Sequence, residues 1–223
     1  MSMYNADGSE GKMCGNGIRC VAKYVYDYKM IDKEVITVET LAGIKTLKLN
    51  VENGKVKTVR VNMGSPIINA KDVPVISDKE KVINEPVVID GKEYGITCVS
   101  MGNPNCVIHL DEISKEKAME LGPYVENASY FPNRINMQLC KVMDRGHIRV
   151  EIYERGAGYT LASGTGACAA AAASHKLGLV DDRIEVTMPG GQLLIEIGED
   201  GSVFLTGEVQ KIGTILMAEH FLA

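Results

Sequence analysis

Short runs of β-branched and apolar residues, separated by polar turn signals, recur along most of the chain: Val35 to Glu39, Ile44 to Val51, Val56 to Asn62, Ile148 to Tyr153 and Ile184 to Met188. Such runs fit a pleated, half-buried surface, and each predicts a strand. Glu52-Asn53-Gly54, Asp90-Gly91, Gly190-Gly191 and Asp200-Gly201 supply the turns. Two segments break the rhythm. Ile18 to Met30 places Ile18, Val21, Ala22 and Val25 at helical spacing, and Gly166 to Leu177 carries an alanine run that stops at Gly178. Ser114 to Leu121 predicts a third helix, shorter and more exposed. The pattern is that of an α+β chain dominated by sheet. A boundary between halves is expected near Met63-Gly64-Ser65-Pro66, where a strand pattern meets glycine and proline.

The entrances of the two main helices repeat each other. One reads Asn5-Ala-Asp-Gly-Ser-Glu-Gly-Lys-Met-Cys14-Gly15-Asn16-Gly17, the other Glu154-Arg-Gly-Ala-Gly-Tyr-Thr-Leu-Ala-Ser163-Gly164-Thr165-Gly166. In both, a polar residue is followed nine positions later by a small Cys or Ser, then by Gly-x-Gly and an apolar helix. That match predicts a duplicated half. Glycines at a helix entrance let backbone N–H groups point at a ligand, with the positive end of the helix dipole behind them. Two such loops suit one carboxylate. Phosphate is the rival ligand, but neither loop has the Walker lysine or a complete GxGxxG with its downstream acid. A thiol at a helix N-terminus favours its thiolate form, so Cys14 is a candidate base or nucleophile; by residue type alone it is equally a small buried side chain.

Composition narrows the partner. The 223 residues are 45% hydrophobic and 24% charged, enough apolar material for one large domain or two small ones. Against 29 acidic residues stand 24 basic ones, giving a net charge of −5 without a Lys/Arg cluster. Neither nucleic acid nor an anionic membrane is an expected partner, and a small neutral or zwitterionic molecule is. No apolar run is long enough for a membrane span, and the opening MSMYNADGSE lacks the regions of a signal peptide, so the expected location is the cytoplasm. The six cysteines and four histidines show neither CxxC nor HExxH spacing, and no metal is expected.

Four stretches carry a family resemblance: YNADGSEGKMCGNGIRCVAKY, MGNPNCVI, FPNRIN and ERGAGYTLASGTGACAAAAA. In order and spacing they resemble the signature regions of diaminopimelate epimerase, a cofactor-independent amino-acid epimerase that interconverts LL- and meso-diaminopimelate for lysine and peptidoglycan precursor synthesis. The resemblance implies two similar, mostly antiparallel β-barrel-like domains, each around a central helix, with the active site in the cleft between them. Residues 1–63 with 211–223 would form the first, incomplete domain and residues 64–210 the second. It also implies a homodimer and no cofactor.

The family's mechanism sets two cysteines on opposite faces of the α-carbon, one a thiolate base and the other a thiol acid, so that inversion follows proton removal and return. By resemblance Cys14 is the first of them. Gly15, Asn16, Gly164 and Thr165 would hold the α-carboxylate, Glu154 the ammonium group, and Asn5, Asn103, Asn136 and Arg155 the distal amino-acid end. Outside that spacing the asparagines read as turn residues and Glu154-Arg155 as an exposed charge pair.

Three positions depart from the family pattern. Ser163 stands where the second catalytic cysteine is expected, and a hydroxyl is a far weaker acid than a thiol. Asn105 replaces the histidine of the NPH segment, and Tyr159 the acid of GAGE. Both are expected to reshape the pocket. The family also has a substantial segment ahead of the NADGSE motif, which here begins at Asn5, so unpaired strand edges and assembly are expected. The alternatives are a racemase or isomerase for another amino acid, and an amino-acid-binding relative without turnover.

Overall fold

A computed structural model describes residues 1–4, 8, 10, 11 and 13–218. Among these described residues, twelve strands and three helices follow one another as α1 (Gly15–Asp27), β1 (Val35–Thr40), β2 (Gly43–Glu52), β3 (Lys55–Gly64), β4 (Glu85–Ile89), β5 (Lys92–Ser100), β6 (Pro104–His109), α2 (Lys115–Glu126), β7 (Asn136–Asp144), β8 (His147–Glu154), β9 (Gly158–Thr160), α3 (Gly164–Lys176), β10 (Arg183–Met188), β11 (Gly191–Ile197) and β12 (Val203–Glu208). The strands form one open, mixed sheet in the order β1-β2-β3-β12-β11-β10-β8-β7-β6-β5-β4, with β9 paired to β8. Only β8–β10 and β6–β7 are parallel.

The turn residues explain the hairpins. Asn53 and Asn53's neighbour Gly54 take φ of 51° and 72° between paired Glu52 and Lys55, and Asp90 and Gly91 take 50° and 71° between Ile89 and Lys92. Two consecutive positive φ values are what a two-residue hairpin turn demands, and Asn-Gly and Asp-Gly meet it at least cost.

The sheet curls around α3. Every residue from Gly166 to Ser174 is buried, and the helix touches β5, β6, β7, β8, β10, β11 and β12. A helix surrounded on all sides has no polar face to keep, and alanine lets each strand approach the backbone closely. By contrast α1 is amphipathic, with Ile18 and Ala22 buried against β2 and β3 while Tyr24 and Tyr28 face outward. One apolar cluster gathers α1, α3 and strands β2, β3, β8 and β10 to β12. A second gathers α2 with β4 to β7.

The repeat of the helix entrances extends to the other end. Both α1 and α3 span 13 residues, and both close with the same pair of bonds. Lys29 N–H reaches Tyr26 O and Met30 N–H reaches Val25 O; Gly178 N–H reaches His175 O and Leu179 N–H reaches Ser174 O. Lys29 and Gly178 carry φ of 61° and 71°, so each helix ends in a Schellman motif. Both helices begin before the apolar periodicity does, because Gly15 and Gly164 already belong to the first turn. The third helix is longer and less exposed than its sequence implies. It runs through Gly122-Pro123 to Glu126, burying Ala118, Leu121 and Val125, since packing outweighs the breaker signal. Gly122 lies against the Tyr153 ring, where a Cβ would have no room.

His109, on β6, approaches Ser174 of α3 through Nε2 at 2.8 Å. The Ser174 hydroxyl donates its proton to Ala170 O at 2.8 Å, so the imidazole must donate, as the neutral Nε2–H tautomer. Burial pushes its pKa down to about 4. The folded-state value lies below the unfolded one, so the contribution to stability is present above about pH 6.5 and is lost as pH falls toward 4. Denaturant titrations across that window are expected to show falling stability, with a shallower slope in His109→Gln. An identical slope in the variant would assign the acid sensitivity elsewhere.

Candidate active site

Each helix entrance is capped by its own side chain. Cys14, in extended conformation (φ −136°, ψ 113°), accepts the Gly17 N–H on Sγ at 3.3 Å. Ser163, with φ −141° and ψ 121°, accepts the Gly166 N–H on Oγ at 3.3 Å. Ile18 N–H and Ala167 N–H close the first helical bonds on the carbonyls of Cys14 and Ser163. In each first turn two earlier N–H groups, of Gly15 and Asn16 and of Gly164 and Thr165, have no partner within the helix.

The two entrances meet. A Cβ built on Gly15 would stand 3.6 Å from Gly164 Cα, and one built on Gly164 would stand 3.5 Å from Gly15 Cα and 3.2 Å from Leu205 Cδ1. Glycine on both sides permits this approach, which brings four N–H groups left over from the two helical ladders and two positive helix ends to one place. Beside it opens a cleft of about 680 Å³. Cys14, Gly15, Asn16, Asn103, Glu154, Arg155, Ser163, Gly164 and Thr165 all line it.

Asn103 donates through Nδ2 to Thr165 Oγ1 at 3.2 Å, and Thr165 Oγ1 stands 3.4 Å from Ser163 Oγ. Arg155, on the loop after β8, donates from Nη1 to Asn133 O at 2.8 Å. That loop is pinned from beneath by Glu126, whose buried carboxylate accepts both Gly156 N–H and Arg134 Nη1 at 2.9 Å.

Three expected pocket residues sit elsewhere. Asn136 is 6% exposed, and both ends of its amide are engaged: Nδ2 donates to Pro104 O and Oδ1 accepts the Arg155 N–H, each at 2.9 Å. It lies behind the cleft wall and ties Arg155 to the Asn103 segment. Asn105 is fully buried, donating to Asn103 O at 2.7 Å and accepting from Gln138 Nε2 at 3.1 Å. Tyr159 turns its hydroxyl to Glu151 Oε2 at 2.6 Å, and burial followed by that carboxylate pushes its pKa up to about 12. Neither Asn105 nor Tyr159 lines the cleft, so the expected reshaping by direct contact does not occur. Asn5 lies outside the described residues.

No other thiol takes the place left by Ser163. Cys168, one turn into α3, is fully buried, and burial pushes its pKa up to about 12. Burial does the same for Cys140, and for Cys106 the hydrogen bond its thiol shares with Cys98, and then burial, raise it well above its ordinary value. Only half-buried Cys14 and exposed Cys20 remain accessible.

Sequence reasoning passed over Arg19, Glu126 and Gln138. Arg19 had a signal, since it stands four residues after Gly15 and therefore over the helix entrance. Glu126 and Gln138 had none, because their neighbours come from distant elements.

The fold is that of amino-acid racemases and epimerases. A probable proline racemase from Agrobacterium radiobacter superposes with a TM-score of 0.72 at 14% identity, over 97% of this chain and 71% of that one. A hydroxyproline epimerase from Agrobacterium vitis gives 0.67 at 15%, over 92% and 65%. The family model described as diaminopimelate epimerase matches residues 1–68 and 97–212, and the chain belongs to that family. Curated relatives named diaminopimelate epimerase include those of Acetivibrio thermocellus, 49% identical over 213 residues, and Methanococcus maripaludis, 46% identical over 213. Both alignments span 95% of this chain, and 76% and 77% of the relatives. It is thus an isomerase of the amino-acid epimerase type. No described helix is long and apolar enough to cross a membrane.

Proposed function

We propose that this chain handles the α-proton of diaminopimelate, the substrate its curated relatives are named for, with Cys14 as the group that takes or gives the proton on one face. The observation that carries the reading is the meeting of two capped glycine entrances beside a cleft that also holds Glu154 and Arg155. The N–H groups of Gly15, Asn16, Gly164 and Thr165 hold the α-carboxylate and take up charge as the α-carbon is deprotonated. Glu154 pairs with the ammonium group. Arg155 offers its planar fork to the distal carboxylate beside Asn103, while Asn136 acts from behind by fixing the Arg155 backbone.

Abstraction by the Cys14 thiolate breaks the Cα–H bond and leaves its electron pair on the substrate. Return of a proton from the same sulfur restores the starting epimer, and a proton delivered from the Ser163 side gives the other. That delivery falls to the Ser163 hydroxyl or a water beside it. The step needs no cofactor in this reading, since the chain's own groups supply both charge stabilisation and proton transfer.

Division at residues 63/64 and 210/211, homodimer assembly, a cytoplasmic location and a place in lysine and peptidoglycan precursor synthesis belong to the same reading. A different amino-acid substrate is less favoured, because Asn105 and Tyr159 are both turned away from the cleft. A binding role without turnover has one observation in its favour, the hydroxyl at Ser163.

Proton NMR of LL- and meso-diaminopimelate in deuterated buffer tests the assignment. The expected result is deuterium entering the α-position of one epimer faster than the other epimer appears. Saturable binding without any α-proton loss would replace the enzymatic reading with the binding one.

A further inference from the structure

Arg19 is the one arginine in the buried set, at 8% exposure, and its side chain curls back over the entrance of its own helix. Nη1 donates to Gly15 O at 3.0 Å and Nη2 to Asn16 Oδ1 at 3.1 Å. Nε is buried and has no partner among the described residues. The guanidinium lies against Gly207 of β12, where a Cβ would stand 3.0 Å from Cζ. Burying a cation with an unspent donor costs free energy, and desolvation lowers the Arg19 pKa while the nearby sulfurs of Cys20, Cys14 and Cys168 act in the opposite direction. A feature held at such cost calls for a role beyond packing.

The donor inventory supplies one. Guanidinium has no acceptor, so the Asn16 atom facing it must be the carbonyl oxygen. The Asn16 amide is thereby fixed with its Nδ2 protons turned away from Arg19. Asn16 itself is exposed and lines the cleft. Without Arg19, either end of that amide can face the cleft, and the oxygen end repels a carboxylate.

We infer that Arg19 is a positioning residue that presets the Cys14 cleft for an anionic ligand, its fork fixing Gly15 and the orientation of the Asn16 amide so that donors alone meet the carboxylate. The inference rests on the proposed function for the identity of that anion, but its geometry stands without the reaction. Lysine at this position keeps a positive charge yet lacks the planar fork that spans both acceptors. The distinction separates charge from orientation.

The test compares alkylation of Cys14 by iodoacetate and by its neutral isostere iodoacetamide, read by peptide mass spectrometry so that exposed Cys20 does not contribute. Loosening of the fold changes both rates together, whereas loss of anion preference changes their ratio. Relative to the unmodified protein, Arg19→Met and Asn16→Ala are expected to lower the iodoacetate/iodoacetamide ratio ~10-fold, the worth of one hydrogen bond to a charged group, and Arg19→Lys ~3-fold. Asn16 is a surface residue, so Asn16→Ala keeps the test open if an Arg19 variant fails to fold.

A ratio within twofold of the parent's in Arg19→Met, or in Asn16→Ala should Arg19→Met not fold, overturns the inference. Parent behaviour in Arg19→Lys overturns the fork and leaves charge alone as the cause. Variants that lower the ratio, in a parent protein without α-proton exchange, support Arg19 and remove the proposed reaction. A parent protein that exchanges while the ratio stays flat in every variant does the reverse.

Discussion

Ser163→Cys is expected to raise the rate at which one diaminopimelate epimer appears from the other by about a thousandfold, the usual worth of a well-placed general acid or base. The Ser163 oxygen caps α3 as the Cys14 sulfur caps α1, at the same 3.3 Å and with nearly the same backbone angles, so a sulfur there inherits a matched geometry. It also inherits a positive helix end, which favours a thiolate. A serine hydroxyl can give up a proton to a carbanion only by leaving an alkoxide, and in the reverse direction it is too weak a base to begin. The variant is therefore expected to move inversion much more than same-face exchange. Chiral separation of the products alongside deuterium incorporation reads both rates. An unchanged inversion rate would show that protonation on that face does not pass through position 163.

Cys14→Ala gives the opposite result: loss of α-proton exchange by about a thousandfold or more, with ligand affinity little changed. Affinity survives because the proposed carboxylate contacts are backbone N–H groups of Gly15, Asn16, Gly164 and Thr165, none of which depends on the sulfur. Loss of the cap to Gly17 costs about 1 kcal/mol, too little to unfold a domain of this size. No buried thiol can substitute, since Cys98, Cys106, Cys140 and Cys168 are all enclosed. Isothermal titration with diaminopimelate and NMR exchange on the same sample separate the two effects. Exchange persisting in Cys14→Ala would move the base to another group and remove the basis for calling this cysteine catalytic.

Much of this arrangement was legible from residues alone. The hairpin turns were readable because Asn-Gly and Asp-Gly are local solutions to a local constraint. The paired entrances were readable because Cys14-Gly-x-Gly and Ser163-Gly-x-Gly repeat at one spacing. What escaped depends on contacts between distant elements. Whether Asn136 faces substrate or scaffold is decided by Pro104 and Arg155, which no spacing brings together. Tyr159 looked like a pocket residue because it sits in a signature segment, yet Glu151, one strand away, captures its hydroxyl. The third helix runs past the Leu121 end that its sequence predicts, through Gly122-Pro123 to Glu126, because the packing that carries it across these breakers comes from other elements.

The contact between Gly15 and Gly164 has a consequence for the ligand as well as for the fold. Each helix end carries roughly half a positive charge, and these two point into one small region instead of being dispersed over the surface. Two like poles at close range repel, and the apolar cluster shared by α1 and α3 holds them together. An anion lodged between them turns a repulsion into a pair of attractions, so the bound carboxylate serves as a keystone: it braces the joint that holds it. Affinity and folding stability then draw on the same electrostatic source, and whatever the chain retains there makes the whole molecule harder to unfold.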